Sequence, residues 1–160
     1  MPRVSAPKLA LLERLARDAA AHAYAPYSRF SVGAAVLTDG GEIFAGANVE
    51  NASYGLSMCA ERNAVHQAVS HGARAIAAIV IYTPTAEPTP PCGACRQVIA
   101  EFGRDTLIVC CGAGGKVRRH RLTDLLPDAF GSGSLVAMSA SHTTARKGAS
   151  QPRQLRRRRP

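Results

Sequence analysis

The chain has 160 residues, 46% of them hydrophobic and 19% charged, which is typical of one globular domain large enough to bury a core. Its formal charge of +9 is concentrated at residues 139–160, where seven basic residues occur without any Asp or Glu. The remaining charge of +2 on residues 1–138 gives no reason to expect a nucleic-acid-binding body.

The sequence contains neither a membrane-spanning run nor a secretory signal. A spanning helix needs about 20 apolar residues, and no stretch approaches that length. The first residues also lack the basic start, apolar stretch and cleavage site of a signal peptide. We therefore expect a soluble, cytoplasmic protein whose five cysteines stay reduced and available to a metal.

The predicted elements of the first half are a helix, a hairpin and a second helix. Apolar residues recur at helical spacing over residues 6–23, before Pro26. Residues 31–38 and 43–48 predict two strands joined by a tight Asp-Gly-Gly turn, which together form a β-hairpin. Residues 59–71 contain neither Gly nor Pro, and this predicts a helix that Gly72 terminates.

The second half alternates strands with helices. Residues 76–82 are apolar throughout, which is typical of a strand buried on both faces. A Pro-rich loop follows and leads to a predicted helix at 92–102, then a short strand at 107–111 and a helical turn around 122–126. This order predicts an α/β fold, in which helices cover a sheet with parallel pairing in its second half.

Two regions follow from this organisation. Residues 1–138 are predicted to form a single domain without internal repeats. Residues 139–160 are dominated by Ser, Thr, Gly, Pro, Gln and Arg, and apolar residues become sparse there. We therefore predict a basic, disordered tail.

Three cysteines have the spacing of a catalytic zinc site. Cys92 and Cys95 form a Cys-x-x-Cys pair at the start of one predicted helix, and Cys59 begins another. A catalytic zinc uses three protein ligands and leaves the fourth position to water, whereas a structural zinc has four. His66 lies about 10 Å further along its helix than Cys59, too far to share the ion. A redox pair and a structural zinc with a remote fourth ligand are the alternatives.

Charged residues beside the predicted ligands point to catalysis. A helix N-terminus lowers the pKa of a cysteine, which favours the thiolate and metal ligation. Three thiolates and one Zn²⁺ carry a net charge of −1. Arg62 lies next to the predicted ligands and can offset this charge without binding the metal itself. The alternative is that Arg62 is an ordinary surface charge. Glu61 follows Cys59 by two positions, where a carboxylate can act as a general acid and base.

Cys110 and Cys111 end an apolar strand and are predicted to pack in the core.

Four motifs taken together resemble those of the cytidine deaminase family in its small homotetrameric form. They are PYSRFSVGAA at 26–35, NVENASY at 48–54, CAER at 59–62 and PCGACRQ at 91–97. Many zinc deaminases carry His where this chain has Cys59, so the chain matches the three-cysteine form. The resemblance extends from about residue 10 to residue 130. It implies a mixed five-stranded sheet flanked by helices, one zinc per subunit and active sites shared between subunits.

The resemblance also implies substrate contacts. Phe30 looks like the aromatic wall of a base pocket, and Ala60 would contact the base through its backbone. Asn48 and Glu50 look like the pair that binds the sugar hydroxyl, since residues two apart on a strand face the same side. The alternatives are that Phe30 fills the core and that Asn48 belongs to an ordinary loop.

Further contacts would come from neighbouring subunits of a homotetramer. Tyr54 resembles a residue that reaches the sugar end of an adjacent site, and Phe130 one that reaches the lid. The alternative for Phe130 is a subunit-interface residue without substrate contact.

The implied reaction is hydrolytic deamination of cytidine and deoxycytidine to uridine and deoxyuridine with release of ammonia, a step of pyrimidine salvage. Zinc would activate water, and Glu61 would carry protons to the ring and the leaving amine. One alternative is a deaminase of a cytosine-bearing antibiotic such as blasticidin S. Another is an RNA-binding protein with structural zinc, because the arginine-rich tail could bind phosphates; however, no aromatic residues accompany those arginines.

Overall fold

The computed structural model describes residues 4–135. Contacts divide the chain into two units, Met1–Ala129 and Phe130–Pro160, and in the second unit residues 132–135 form one helical turn. The predicted tail at 139–160 lies outside the described residues. The first unit contains, in chain order, α1 (Ala6–Ala20), β1 (Gly33–Thr38), β2 (Ile43–Ala47), a short 3₁₀ helix (Tyr54–Leu56), α2 (Ala60–Ser70), β3 (Ile76–Thr83), α3 (Gly93–Phe102), β4 (Leu107–Gly112), β5 (Val117–Arg121) and α4 (Leu122–Leu125).

The five strands form one mixed sheet in the order β2-β1-β3-β4-β5. Strand β1 is antiparallel to both β2 and β3, with Ala35 opposite Ala45 on one side and Val80 on the other. Strand β3 is parallel to β4, and β5 returns antiparallel to β4 at the edge. The predicted hairpin and the predicted parallel pairing are confirmed, as is the mixed five-stranded sheet.

Helices cover the sheet on both faces because successive strand residues point to opposite sides. On β3, Ile79 and Ile81 join a core cluster with residues of α2 and α3. Ala78 and Val80 join a second cluster with Leu12 of α1. This arrangement explains why residues 76–82 are apolar without alternation.

Two glycines allow the helices to approach the sheet closely. A Cβ atom at Gly33 would lie 1.9 Å from the carbonyl oxygen of Ala16, so only glycine lets α1 lie against β1 here. A Cβ atom at Gly46 would lie 2.6 Å from the backbone nitrogen of Ala64. Gly46 therefore fixes how closely α2 approaches β2, and with it the position of the α2 N-terminus.

Some element boundaries differ from the prediction. Helix α1 ends at Ala20, three residues before the predicted end. Strand β5 was not predicted from the local pattern because its sequence, VRRHR, has no apolar alternation; it is an edge strand with almost every residue exposed. No helix within the described part of the chain is long and apolar enough to cross a membrane.

Candidate metal centre and active site

The three predicted zinc ligands meet at the N-termini of α2 and α3. Cys59 and Cys92 occupy the position immediately before each helix, in extended backbone conformation, and Cys95 lies one helical turn into α3. The sulfur atoms of Cys59 and Cys92 are 3.8 Å apart, and those of Cys92 and Cys95 are 3.4 Å apart. All three lie within 4.8 Å of one another.

These distances fit a zinc ion. Thiolates at about 2.3 Å from a tetrahedral zinc are separated by about 3.8 Å, close to the observed spacings. Within residues 4–135, no further His, Cys, Asp or Glu belongs to this cluster. Three ligands of this chemistry leave one zinc position for water, as in a catalytic site, so zinc is the cofactor that this donor set suits.

The cluster favours ionisation of Cys59. The neighbouring Cys95 thiol lowers the pKa of Cys59, and Arg62 lowers that pKa further. The proximity of Cys59, together with burial, raises the pKa of Cys95. Arg62 therefore contacts the ligand whose pKa is lowered.

Arg62 lies beside the cluster. Its Nη2 atom lies 3.6 Å from the Cys59 sulfur and donates to the carbonyl of Ser57 at 3.3 Å. Its Nε atom is buried and has no hydrogen-bond partner among residues 4–135. A guanidinium in this position lowers the electrostatic cost of gathering three thiolates.

Glu61 is a buried carboxylate next to the cluster. It is only 5% exposed, and burial raises its pKa above the usual range for a glutamate. A raised pKa keeps the protonated form accessible closer to neutral pH, which suits a group that both accepts and returns protons. Glu61 is the second residue of α2, two positions after Cys59, so the backbone that places Cys59 also places this carboxylate.

A cavity of about 240 Å³ opens beside the cysteines. Most of the residues that the sequence analysis predicted to act in catalysis or substrate binding line this cavity. The predicted residues that line it are Phe30, Asn48, Glu50, Cys59, Ala60, Glu61 and Cys92. Cys95 is fully buried behind this surface.

The side chain of Asn48 is engaged within the protein. Its Oδ1 accepts from the Val32 amide at 2.8 Å, and its Nδ2 donates to the Phe30 carbonyl at 2.9 Å. Asn48 thus holds the segment that carries the aromatic wall.

Glu50 is also engaged, with the residues just before that segment. Its carboxylate accepts from the Tyr27 amide at 2.9 Å and the Ser28 amide at 3.1 Å, and from the Ser28 hydroxyl. The Ser28 hydroxyl chiefly lowers the pKa of Glu50, and the two amides contribute. The carboxylate is therefore an anion at neutral pH at one end of the cavity.

Two predicted substrate contacts are exposed side chains. Tyr54 is 74% exposed and lines a neighbouring depression together with Glu50 and Tyr27; its ring lies 5.7 Å from that of Tyr27. Phe130 belongs to the second unit and is 61% exposed. Both roles were expected from neighbouring subunits, and they stay predictions.

The cavity also contains residues that the sequence reasoning did not single out. Ser28 lies at its Glu50 end, and Thr83, Thr89 and Pro90 contribute from the end of β3 and the following loop. Ser28 lies inside the quoted PYSRFSVGAA motif, so the motif contained the signal. The contribution of Thr83 follows from the sheet, because the end of β3 lies beside the α2 N-terminus. Cys110 and Cys111 are each 1% exposed, which confirms them as core residues.

Comparison with known proteins agrees with this site. A family model described as the cytidine and deoxycytidylate deaminase zinc-binding region matches residues 8–111. The chain is 50% identical over 109 residues to a cytidine deaminase of Halalkalibacterium halodurans, a match that covers 68% of this chain and 83% of the relative. It is 47% identical over 121 residues to a cytidine deaminase of Mycobacterium tuberculosis, covering 76% and 88%.

Solved structures show the same fold. The crystal structure of cytidine deaminase from Burkholderia pseudomallei superposes with a TM-score of 0.73 at 49% identity, and the match covers 76% of this chain and 98% of that one. The crystal structure of cytidine deaminase from Mycobacterium tuberculosis gives a TM-score of 0.68 at 46% identity, with 77% and 97% covered. The arrangement of the five-stranded sheet and its flanking helices is thus shared with these enzymes.

Proposed function

The chain belongs to the cytidine and deoxycytidylate deaminase zinc-binding family, and from that premise we propose that it hydrolyses cytidine and deoxycytidine to uridine and deoxyuridine, releasing ammonia. The observation that carries this proposal is one cavity whose lining contains Glu61, Cys59 and Cys92 together with Phe30 and Glu50. A base placed against Phe30 would have its amino carbon near the metal ligands and its sugar toward Glu50.

The reaction exchanges one water for one ammonia. When bound, zinc lowers the pKa of a water molecule from 15.7 toward about 7 and so provides a nucleophile at neutral pH. Glu61 accepts the water proton and gives it to N3 of the ring, which makes C4 more electrophilic. The oxygen of that water then bonds to C4, and Glu61 takes the second proton of the water and transfers it to the 4-amino group, which leaves as ammonia when the C4–N bond breaks. One buried carboxylate can serve both steps if water and ring lie within its hydrogen-bond reach.

The charge around the cavity favours a nucleoside over a nucleotide. None of the described residues that line it is Lys or Arg. The Glu50 carboxylate has a lowered pKa and stays ionised at neutral pH. A 5′-phosphate near this anion would be repelled without a compensating cation, so a monophosphate should be a poor substrate.

We further propose a homotetramer, with Tyr54 and Phe130 reaching the active sites of neighbouring subunits. The support is a set of exposed apolar side chains, two of which, Tyr27 and Tyr54, line the depression beside the cavity; exposed apolar patches on soluble proteins commonly mark interaction surfaces. These residues are Tyr24, Tyr27, Val49, Tyr54 and Leu56, each 48–74% exposed. Light scattering of the purified protein at several concentrations tests this assembly; a monomer at all of them would contradict it.

The proposed setting is pyrimidine salvage in the cytoplasm. Three reduced thiolates are needed to hold zinc, and a reducing compartment preserves them. Cytidine and uridine are free nucleosides, and their interconversion recovers bases without new ring synthesis. A cell-fractionation blot with an antibody against the chain tests the compartment.

The function is tested by ammonia release from cytidine, deoxycytidine, cytosine, CMP and blasticidin S, together with zinc analysis of the same sample. We expect turnover of the two nucleosides, little from cytosine or CMP, and one zinc per chain. Turnover of blasticidin S alone would assign the antibiotic as the substrate. A protein with full zinc content and no turnover of any compound would contradict the proposal and favour a structural zinc.

A further inference from the structure

The aromatic wall of the cavity belongs to a segment outside regular secondary structure. Residues 25–32 lie between α1 and β1 and contain Phe30. Backbone bonds hold both ends of this segment: the Arg29 amide donates to the Ala25 carbonyl at 3.0 Å, and the Asn48 amide donates to the Val32 carbonyl at 3.1 Å. The middle of the segment depends on side chains.

The hydroxyl of Ser28 lies at the centre of these side-chain contacts. It accepts a hydrogen bond from the Phe30 amide at 3.0 Å and donates to Oε1 of Glu50. An amide can only donate, so the single hydroxyl proton is left for the carboxylate. Ser28 therefore connects the backbone of the aromatic wall to the Glu50 carboxylate, which also lines the cavity.

The residue between these two contacts has an uncommon backbone conformation. Arg29 has φ of 57°, the only positive φ among the described residues other than glycine. A left-handed non-glycine residue is strained and persists when its surroundings fix it. Ser28 precedes Arg29 and bonds to Glu50, and Phe30 follows Arg29 and bonds to Ser28. These two bonds therefore hold the residues on both sides of Arg29 and fix its conformation.

We propose that Ser28 is a positioning residue for substrate binding: its hydroxyl fixes Phe30 and Glu50 relative to each other, so that base and sugar are bound together. This proposal rests on the proposed function. Ser28 lines both the main cavity and the neighbouring depression that contains Tyr54. Its hydrogen bonds within residues 4–135 are to Glu50 and Phe30, and none of these is to Glu61 or the cysteines, so it acts on binding and not on the chemical step.

The principal test is Ser28→Ala, with KM and kcat measured separately on cytidine. We expect KM to rise about tenfold, the size expected for one hydrogen bond to a charged group, with kcat within about twofold. Ser28→Thr retains the hydroxyl and should restore most of the lost affinity. Ser70→Ala is the matched control, because that hydroxyl bonds only to the His66 carbonyl of its own helix; it should leave both constants unchanged.

A double-variant cycle distinguishes positioning from a general loss of structure. If Ser28 acts through Glu50, then Ser28→Ala adds little to KM in a Glu50→Gln background. Additive effects, or a fall in kcat with KM unchanged, would overturn the proposal. If Ser28→Ala does not fold, Ser28→Cys, which keeps a weak donor, takes its place in the same cycle with the same two outcomes. A wild-type protein without cytidine turnover would refute the proposed function itself, whereas an active wild type with an unaltered Ser28→Ala refutes only the role of Ser28.

Discussion

Arg96 holds the backbone of Leu125: its Nη1 donates to the Leu125 carbonyl at 2.9 Å, while its Nε donates to the Pro91 carbonyl at 2.8 Å. One guanidinium therefore connects the residue that precedes Cys92 to the end of α4. Because Arg96 is adjacent to Cys95, this connection fixes the metal-binding loop from the C-terminal side of the first unit.

Arg96→Lys should destabilise this connection, since an ammonium group lacks the planar fork that reaches two carbonyls at once. We expect the free energy of unfolding to fall by about 1–2 kcal/mol and zinc to be lost faster to a chelator. Denaturant unfolding and a colorimetric zinc-release assay measure the two effects. Arg104→Lys is the control, because that arginine donates to the Pro127 carbonyl at 3.3 Å from an exposed position; equal losses in both variants would contradict the role of Arg96.

Glu61→Gln should retain zinc and lose nearly all turnover. The amide keeps the size of the side chain but cannot carry a proton, so kcat should fall at least about a hundredfold. Zinc content by atomic absorption and ammonia release from cytidine are measured on the same preparation. Glu101→Gln, on an exposed position of α3, should have neither effect. Substantial activity in Glu61→Gln would remove Glu61 from the mechanism.

Arg62→Gln should weaken zinc retention and shift the activity profile to higher pH. Removing the cation beside Cys59 leaves the site more negative, which raises the pKa of a water molecule activated there. The measurements are chelator-driven zinc loss and the pH dependence of kcat/KM. Arg74→Gln removes an arginine that bonds only to the carbonyls of Val69 and Ala73 and serves as the control. An unchanged pH profile would contradict the proposed charge compensation.

Asn48→Ala should reduce both stability and substrate affinity, because it leaves the Val32 amide and the Phe30 carbonyl without their partners. The expected loss in the free energy of unfolding is about 1–3 kcal/mol, measured by denaturant unfolding. Asn51→Ala removes a single bond to the Ser53 amide at an exposed position and should cost less. A stable Asn48→Ala with a raised KM would indicate that Asn48 acts on the sugar alone.

Cys59 should react faster than Cys110 and Cys111 with an alkylating reagent at pH 7. In the zinc-free protein, the pKa of Cys59 is lowered by the Cys95 thiol and Arg62, so its reactive thiolate is present at that pH. Burial raises the pKa of Cys110 to about 12 and that of Cys111 to about 11, and both thiols stay protonated. Mass spectrometry after labelling should find Cys59 modified while Cys110 and Cys111 are modified only in denaturant. Early labelling of the two core cysteines in the folded protein would contradict their burial.

Much of the fold could be predicted from the sequence because the information is local. The apolar run at 76–82 predicted β3 almost to the residue. The helical pattern before it, which Gly72 terminates, predicted α2 equally closely. The Cys-x-x-Cys spacing placed Cys92 and Cys95 on one helical turn. Strand β5 could not be found by the same reasoning, since its pairing with β4 is non-local and its exposed side chains carry no periodic pattern.

The sequence by itself determined the chemistry of this protein: which thiols, which carboxylate and which motifs are present, and that Cys59 and Cys92 lie at the starts of helices. Tertiary structure alone decided that Cys59 reaches the Cys92–Cys95 pair. It also decided that Asn48 and Glu50 bond to the segment at 27–32, and that Ser28 connects Phe30 to Glu50 in the lining of the cavity. The physical reason is that helix and strand patterns arise from neighbours in the chain. Hydrogen bonds such as that between Ser28 and Glu50, 22 residues apart, form only when packing against the sheet brings distant segments together.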